Sequence, residues 1–342
     1  MTTPLISANR LNQSTKSRLL GLVLGAILLS ICLIYSVTLG ARDIPLRVIL
    51  ESFTTFDNSY DHLVIQTLRL PRSLIAIAVG AALAVSGALM QGLTRNPLAE
   101  TGILGIEAGG ALAVVGTLFV FGSASTSVYA GMAFLGAGVA AVTVYLLGSL
   151  GRGGATPLNL TVAGAAMTAF ISSITTAILI VSQRTLEEIR FWLAGSLAGR
   201  DFDLFLQVLP FWGVGLVLAL LLSRQITTLS LGEDVATSLG QQTLRIKLLT
   251  AISVVLLAGS SVAIAGPIGF IGLVVPHAVR FFIKTDYRWI LPYSALLGAI
   301  LLLVSDIAAR VLLKPQELPV GVMTALVGAP VFVYLAKSKV KK

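Results

Sequence analysis

The chain has one cysteine, Cys32, in 342 residues. A disulfide framework and a thiolate metal centre are therefore both out of reach. Histidine is almost as scarce, with two residues far apart in sequence, which disfavours an imidazole metal site. Charge is also sparse: 11% of residues are Asp, Glu, Lys or Arg, against about 25% in an ordinary soluble domain. No phosphate-cradling glycine loop, zinc-protease helix motif or nucleophile elbow occurs, so no catalytic constellation is in view.

Apolar residues are abundant, at 56% hydrophobic. They gather into ten spans: Leu19–Leu39, Leu74–Gln91, Ile103–Phe121, Val128–Leu150, Leu158–Val181, Leu204–Leu222, Leu248–Ile264, Phe270–Ile283, Ile290–Leu313 and Val320–Ala336. Most could cross a bilayer core of roughly 30 Å as helices, the eighth being short for the purpose. The expected fold is an all-α polytopic membrane protein with about ten transmembrane helices. Leu19–Leu39 exceeds the usual apolar core of a signal peptide and is taken as a retained first span.

The net charge of +9 could suggest nucleic acid, but the bases punctuate apolar spans and are not interleaved with aromatics on one face. The lipid bilayer accounts for them, and no nucleic-acid partner is expected. With the N-terminus inside, 15 of the 24 Lys and Arg residues are cytoplasmic, an orientation set by the positive-inside rule. Residues 1–18 and the basic tail 337–342 then lie in the cytoplasm, flanking a membrane domain at 19–336.

Between the sixth and seventh spans lies a polar island, Ser223–Lys247, on the cytoplasmic side. Leu231, Val235 and Leu239 recur there every four residues beside Glu233 and Asp234, the pattern of a short amphipathic helix punctuated by Gly232 and Gly240. It is either a solvated connector or a surface offered to a partner.

Three external segments carry charge. Residues 41–70 hold several acids and end in Arg69-Leu70-Pro71-Arg72, residues 183–203 include Phe191 and Trp192 suited to headgroup level, and a third surrounds Arg310. Asp306 and Arg310 are four apart on one helix, so a local ion pair is expected. Glu107 falls near the start of the third span, within reach of the interface. These acids form no chain through the bilayer, which disfavours proton coupling.

Small residues also recur. Ala76, Gly80, Ala84 and Ala88 share a helix face, as in close helix contacts. Gly164, Thr168, Ser172 and Thr176 do so in the fifth span, as either a packing face or a mildly polar wall along a solute path. Residues 85–99 line up with residues 264–278, either by coincidence among small apolar residues or as an inverted repeat of the kind transporters use. His277, beside Pro276, fits a structural hydrogen bond better than a ligand role.

RLPRSLIAIAVGAALAVSGALMQGLTRNPLAETGILG, GEDVATSLG, GPIGFIGLVVPHAVR and DIAARVLLKPQELPVGVMTALVGAPVF closely resemble the FecCD-type permeases, membrane subunits of ABC importers for iron-siderophores, haem and cobalamin. The resemblance runs from about Leu19 to the C-terminus. It implies a type II importer architecture: two permease subunits around one path, two cytoplasmic ATPase subunits holding ATP and Mg, and an external binding protein. No cofactor is expected on this chain, which would be a transport subunit and not an enzyme. Leu231, Gly232, Glu233, Ala236, Leu239 and Gly240 match the coupling segment that enters a groove on the ATPase. Arg69, Arg72 and Arg310 match external arginines that pair with glutamates of the binding protein. Thr156 and Pro157 match a cytoplasmic gate, and the fifth span a path-lining helix. Glu107 departs from the Ser or Asn usual there. The implied role is a path for iron(III)-siderophore across the bacterial cytoplasmic membrane. Cobalamin or haem as cargo and, from another class, an ion-driven secondary carrier stay open, while an integral membrane enzyme lacks any candidate site.

Overall fold

The computed structural model describes residues 8–40, 42–150, 156–200, 202–314 and 316–340. Among these the chain is all helix and turn. In order come α1 (Ala8–Thr38), α2 (Leu46–Thr54), α3 (Tyr60–Thr94), α4 (Ile106–Phe121), α5 (Thr126–Ser149), α6 (Pro157–Val181), α7 (Gln183–Leu193), α8 (Phe202–Leu221), α9 (Ser223–Leu229), α10 (Glu233–Ser238), α11 (Thr243–Ala265), α12 (Ile271–Ile283), α13 (Tyr287–Val311) and α14 (Val320–Val340).

Seven of these are long and apolar enough to cross a membrane, and three shorter apolar helices, Ile106–Phe121, Ile271–Ile283 and Val320–Tyr334, complete the ten expected spans. The ends differ from expectation. Helix α1 begins at Ala8, ahead of the apolar run, and α3 begins at Tyr60, fourteen residues before Leu74. Polar residues extend a helix wherever no breaker intervenes, so hydropathy marks the membrane portion and not the helix. Residues 1–7, 341 and 342 of the expected cytoplasmic segments, and Arg152, lie outside the described residues.

Helix α3 is the central element, buried along nearly its whole length from Pro71 to Thr94. The Ala76–Ala88 row is fully buried and packs on α13. Gly80 and Gly298 lie backbone to backbone, so a methyl on either would collide with the other's carbonyl. Gly87 meets Gly272 of α12 in the same way. Small residues thus act as helix contacts, which in a bilayer supply the van der Waals packing that hydrophobicity cannot.

The alignment of residues 85–99 with residues 264–278 does not carry over into conformation. The first stretch is helix through Thr94 and then turn, whereas the second is turn from Gly266 and helix again from Ile271. Pro97 sits in a turn but Pro276 lies inside α12, where His277 packs edge-on against Phe281.

Candidate functional site

At one end of the molecule, the segment between α1 and α2, the first part of α3, the loop after α7, the end of α13 and the loop that follows it line a cavity of about 340 Å³. Arg69, Arg72 and Arg310 all line it, so the structure brings together three residues spread over most of the sequence. Their roles diverge. Helix α1 ends at Thr38, leaving its last carbonyls without intrahelical donors. Arg69 Nη1 donates to Val37 O and Thr38 O, both at 2.8 Å, and its Nη2 to Arg42 O. Arg310 Nη1 donates to Ser36 O at 2.9 Å and Leu39 O at 3.0 Å, and its Nη2 to Ser36 Oγ at 2.8 Å. Two guanidinium groups therefore cap one helix C-terminus, where hydrogen bonding and the helix dipole both favour a cation.

Arg310 is 4% exposed, which corrects the expectation that it offers a free guanidinium to a partner. The expected Asp306–Arg310 pair is present, with Arg310 Nε 3.1 Å from Asp306 Oδ2, although that N–H points to the Asp306 carbonyl at 3.3 Å. Asp306 serves a second arginine as well. Arg72 Nε and Nη2 donate to Asp306 Oδ1 at 3.0 and 2.9 Å, and Arg72 Nη1 to Glu317 Oε2 at 2.6 Å. Arg72 is thus the half-way member, 13% exposed in its side chain and paired on both sides.

Tyr60, Asp61, Arg42, Arg200 and Glu317 complete the charged and aromatic lining. None was singled out from the sequence. Their only signal there is a cluster of charges in segments between spans. Beside the cavity, Phe191 is exposed as expected for headgroup level, but Trp192 is buried, its carbonyl against the Gly266 turn.

At the other end, Ser223–Lys247 folds as α9, a turn, α10 and a second turn. Gly232 (φ 134°) and Gly240 (φ 81°) take backbone angles that side chains resist, and Gly240 N and Gln241 N close the end of α10 on Thr237 O and Ala236 O at 2.9 and 3.0 Å. Leu231 is 63% and Leu239 70% exposed, with Val235 exposed between them, so the four-residue stripe faces outward. Ala236 is wholly buried, which removes it from any direct contact surface and makes it the packing side of α10. Glu233 is held within the chain: Lys247 Nζ donates to both its oxygens at 2.7 Å. Those bonds keep the Glu233 carboxyl below its ordinary range.

The row Gly164, Thr168, Ser172 and Thr176 separates along α6. Four residues turn about 400°, so the row drifts about 40° at each step. Gly164 is buried against the Ile103 carbonyl, Thr168 is half-buried beside Gly105, and Ser172 and Thr176 are exposed. Gly164 is therefore a packing contact and not a path wall. Thr156 is the N-cap of α6, its Oγ1 accepting from Asn159 N at 3.2 Å, and Pro157 follows at the first turn. Residues 151–155 of the expected gate lie outside the described residues.

Glu107 sits in the first turn of α4, where a carboxylate favours the helix dipole, and accepts from Thr101 Oγ1 at 3.2 Å. Among the described residues no group of three or more His, Cys, Asp or Glu could hold a metal.

Residues 28–338 match the model of the FecCD transport family. The chain is 48% identical over 319 residues to Bacillus subtilis YfiZ, named as a probable siderophore transport system permease protein, covering 91% of this chain and 96% of the relative. It is 46% identical to the B. subtilis iron(3+)-hydroxamate import system permease protein FhuB, covering 92% and 82%. It is 42% identical to the Escherichia coli ferric enterobactin transport system permease protein FepD, covering 92% and 94%. Among solved structures, an inward-facing metal-chelate-type ABC transporter matches with a TM-score of 0.82 at 30% identity, covering 93% of this chain and 98% of that one.

Proposed function

This chain belongs to the FecCD transport family as the permease subunit of an ABC importer, and on that basis we propose that it carries iron(III)-siderophore across the bacterial cytoplasmic membrane. The observation that carries the cargo is near-full-length similarity to permeases whose names specify siderophore, hydroxamate and enterobactin systems. The exposed hydroxyls of Ser172 and Thr176 on α6 suit a polar chelate moving beside a second permease, identical or paralogous.

In this reading both termini are cytoplasmic, Arg69 and Arg72 face the external binding protein, and Leu231, Gly232, Leu239 and Gly240 face one of two ATPase subunits. Glu233 braces the segment through Lys247, and Thr156 and Pro157 set the start of the path helix at the cytoplasmic gate. The chain itself binds no cofactor; ATP and Mg belong to the ATPase. ATP binding draws the ATPase pair together, moves α10 and biases the path between outward and inward states, each ligand favouring the state it binds better.

The test is uptake into proteoliposomes holding the permease pair and its ATPase, with binding protein outside and ATP inside the assay's ATPase compartment. Radiolabelled ferric siderophore should accumulate only with ATP. Accumulation of cobalamin or haem without ferric siderophore would overturn the cargo. Uptake driven by an ion gradient without ATP would overturn the mechanism.

A further inference from the structure

Among the described residues, the cavity lining holds more positive charge than its paired acids neutralise. Arg42, Arg69, Arg72, Arg200 and Arg310 line it. Asp61 lies 3.7 Å from Arg42, Glu317 lies 2.6 Å from Arg72, and Asp306 is shared by Arg72 and Arg310. Two cations remain. Arg69 has acceptors, but they are neutral carbonyls that take three of its five N–H groups and do not cancel its charge.

Arg200 has less. Its hydrogen bond runs from Nε to Ser196 O at 3.4 Å, inside its own loop, and no carboxylate among the described residues lies within ion-pair distance. Burial lowers its pKa, as desolvation does to a cation that no acid compensates. Arg200 is part-buried on the cavity wall, so a carboxylate brought there would meet a guanidinium that has no acid partner among the described residues.

The loop that carries it is tied to its neighbours. Ser196 N donates to Ala265 O at 2.9 Å, Gly321 N donates to Gly195 O at 3.0 Å, and Leu197 is buried beneath. The base of the loop, residues 195–197, is thus anchored before any partner arrives, which lowers the ordering cost of binding. Tyr60 and Leu68 stand exposed at the rim, an apolar edge around a cationic floor. That combination fits an acidic side chain on a folded partner, whose methylenes lie on the rim while its carboxylate takes the guanidinium forks.

We propose that Arg200 is a docking residue, which with Arg69 receives a single carboxylate side chain of the external binding protein in this cavity. The inference deepens the proposed docking surface and depends on it. It changes membership of that surface: Arg200 enters and buried Arg310 becomes a support for the α1 terminus.

The experiment measures affinity of the system's binding protein for the permease–ATPase complex in lipid nanodiscs, at low and physiological salt. Arg200→Ala should weaken binding about tenfold, the loss of one partner from a part-buried charge pair, and should flatten the salt dependence. Arg200→Met, which keeps the apolar stem, replaces the alanine variant if that one fails to assemble by size-exclusion chromatography. Arg200→Glu should be rescued by Glu→Arg at one acidic position of the binding protein. Wild-type affinity in the Arg200 variants with a loss in Arg69→Glu would overturn this inference and leave docking standing. Wild-type affinity in Arg69→Glu, Arg72→Glu and Arg200→Ala alike would overturn both. Displacement of the binding protein by millimolar glutamate or citrate, with no rescue at any acidic position, would make the cavity a small-anion site and overturn the proposal.

Discussion

Arg72 and Asp306, 234 residues apart, meet at 2.9 Å beside the arginine-lined cavity, and the same carboxylate lies 3.1 Å from Arg310. Asp306 is fully buried, so one negative charge compensates two enclosed cations. Asp306→Asn keeps the shape and removes that compensation. It should destabilise the permease by about 3–5 kcal/mol, the usual result of breaking a buried pair by removing one partner. Thermal unfolding in detergent is the measurement, and an unchanged midpoint would mean the two arginines are held by their carbonyl and Glu317 contacts alone.

Leu231 and Leu239 are solvent-facing, so truncating both to Ala costs the isolated permease nothing in burial. Its melting point should stay at the wild-type value. ATPase co-purification should fall, because about 25 cal/mol per Å² of apolar contact is lost at that interface. Ala236→Leu should act in the opposite way, lowering permease stability by about 1–3 kcal/mol through overpacking. Normal recruitment and normal stimulation by the binding protein in the double Ala variant would make the island a connector only.

Glu233 and Lys247 tie the start of α10 to the first turns of α11, and the pair depends on pH in a defined direction. Glu233 is depressed below its ordinary carboxylate value in the folded state, chiefly by the Lys247 hydrogen bonds. Its contribution is present above the ordinary carboxylate pKa and is lost as pH falls through the depressed folded value. Being about two-fifths exposed, it is screened and worth less than about 1 kcal/mol. Hydrogen exchange over residues 233–247 should show protection in wild type relative to Glu233→Gln at neutral pH, with the difference vanishing in acid. Equal protection at every pH would rule out the brace.

Helix α6 separates structure from passage within a single row. Gly164→Leu should prevent assembly, since the added atoms meet the Ile103 backbone, which cannot yield. Ser172→Trp should assemble normally and obstruct uptake. Assembly by size-exclusion chromatography beside transport distinguishes them, and undiminished uptake in Ser172→Trp would remove Ser172 from the path.

The ten spans and the outward stripe at Leu231, Val235 and Leu239 were legible because hydropathy and helical period act locally. The joint location of Arg69, Arg72 and Arg310 was legible because Arg69 and Arg72 precede the second span and Arg310 falls at the end of the ninth, on the same side. Burial of Arg310 was not, since it rests on carbonyls of Ser36 and Leu39 on another helix. Arg200 carries no local pattern at all; only the folded cavity reveals that it lacks an acid partner among the described residues. The row on α6, open in the sequence to both a packing and a path reading, divides for a geometric reason, because three steps of four residues drift about 120° around the helix.

Helix α3 has a mechanical consequence. It spans 35 residues, about 52 Å at 1.5 Å per residue, and its one wide turn, Ile65–Arg69, lies at the cavity end. From Leu70 onward it is a regular strut, clamped to α13 where Gly80 and Gly298 touch. Gln91, near its far end, accepts from Arg280 and donates to the carbonyls of Gly272 and Leu273 on α12 at 3.2 and 3.3 Å. Arg72 in the cavity wall and Gln91 in the contact with α12 thus sit on one continuous helix, and a rigid shift of that helix would move both together.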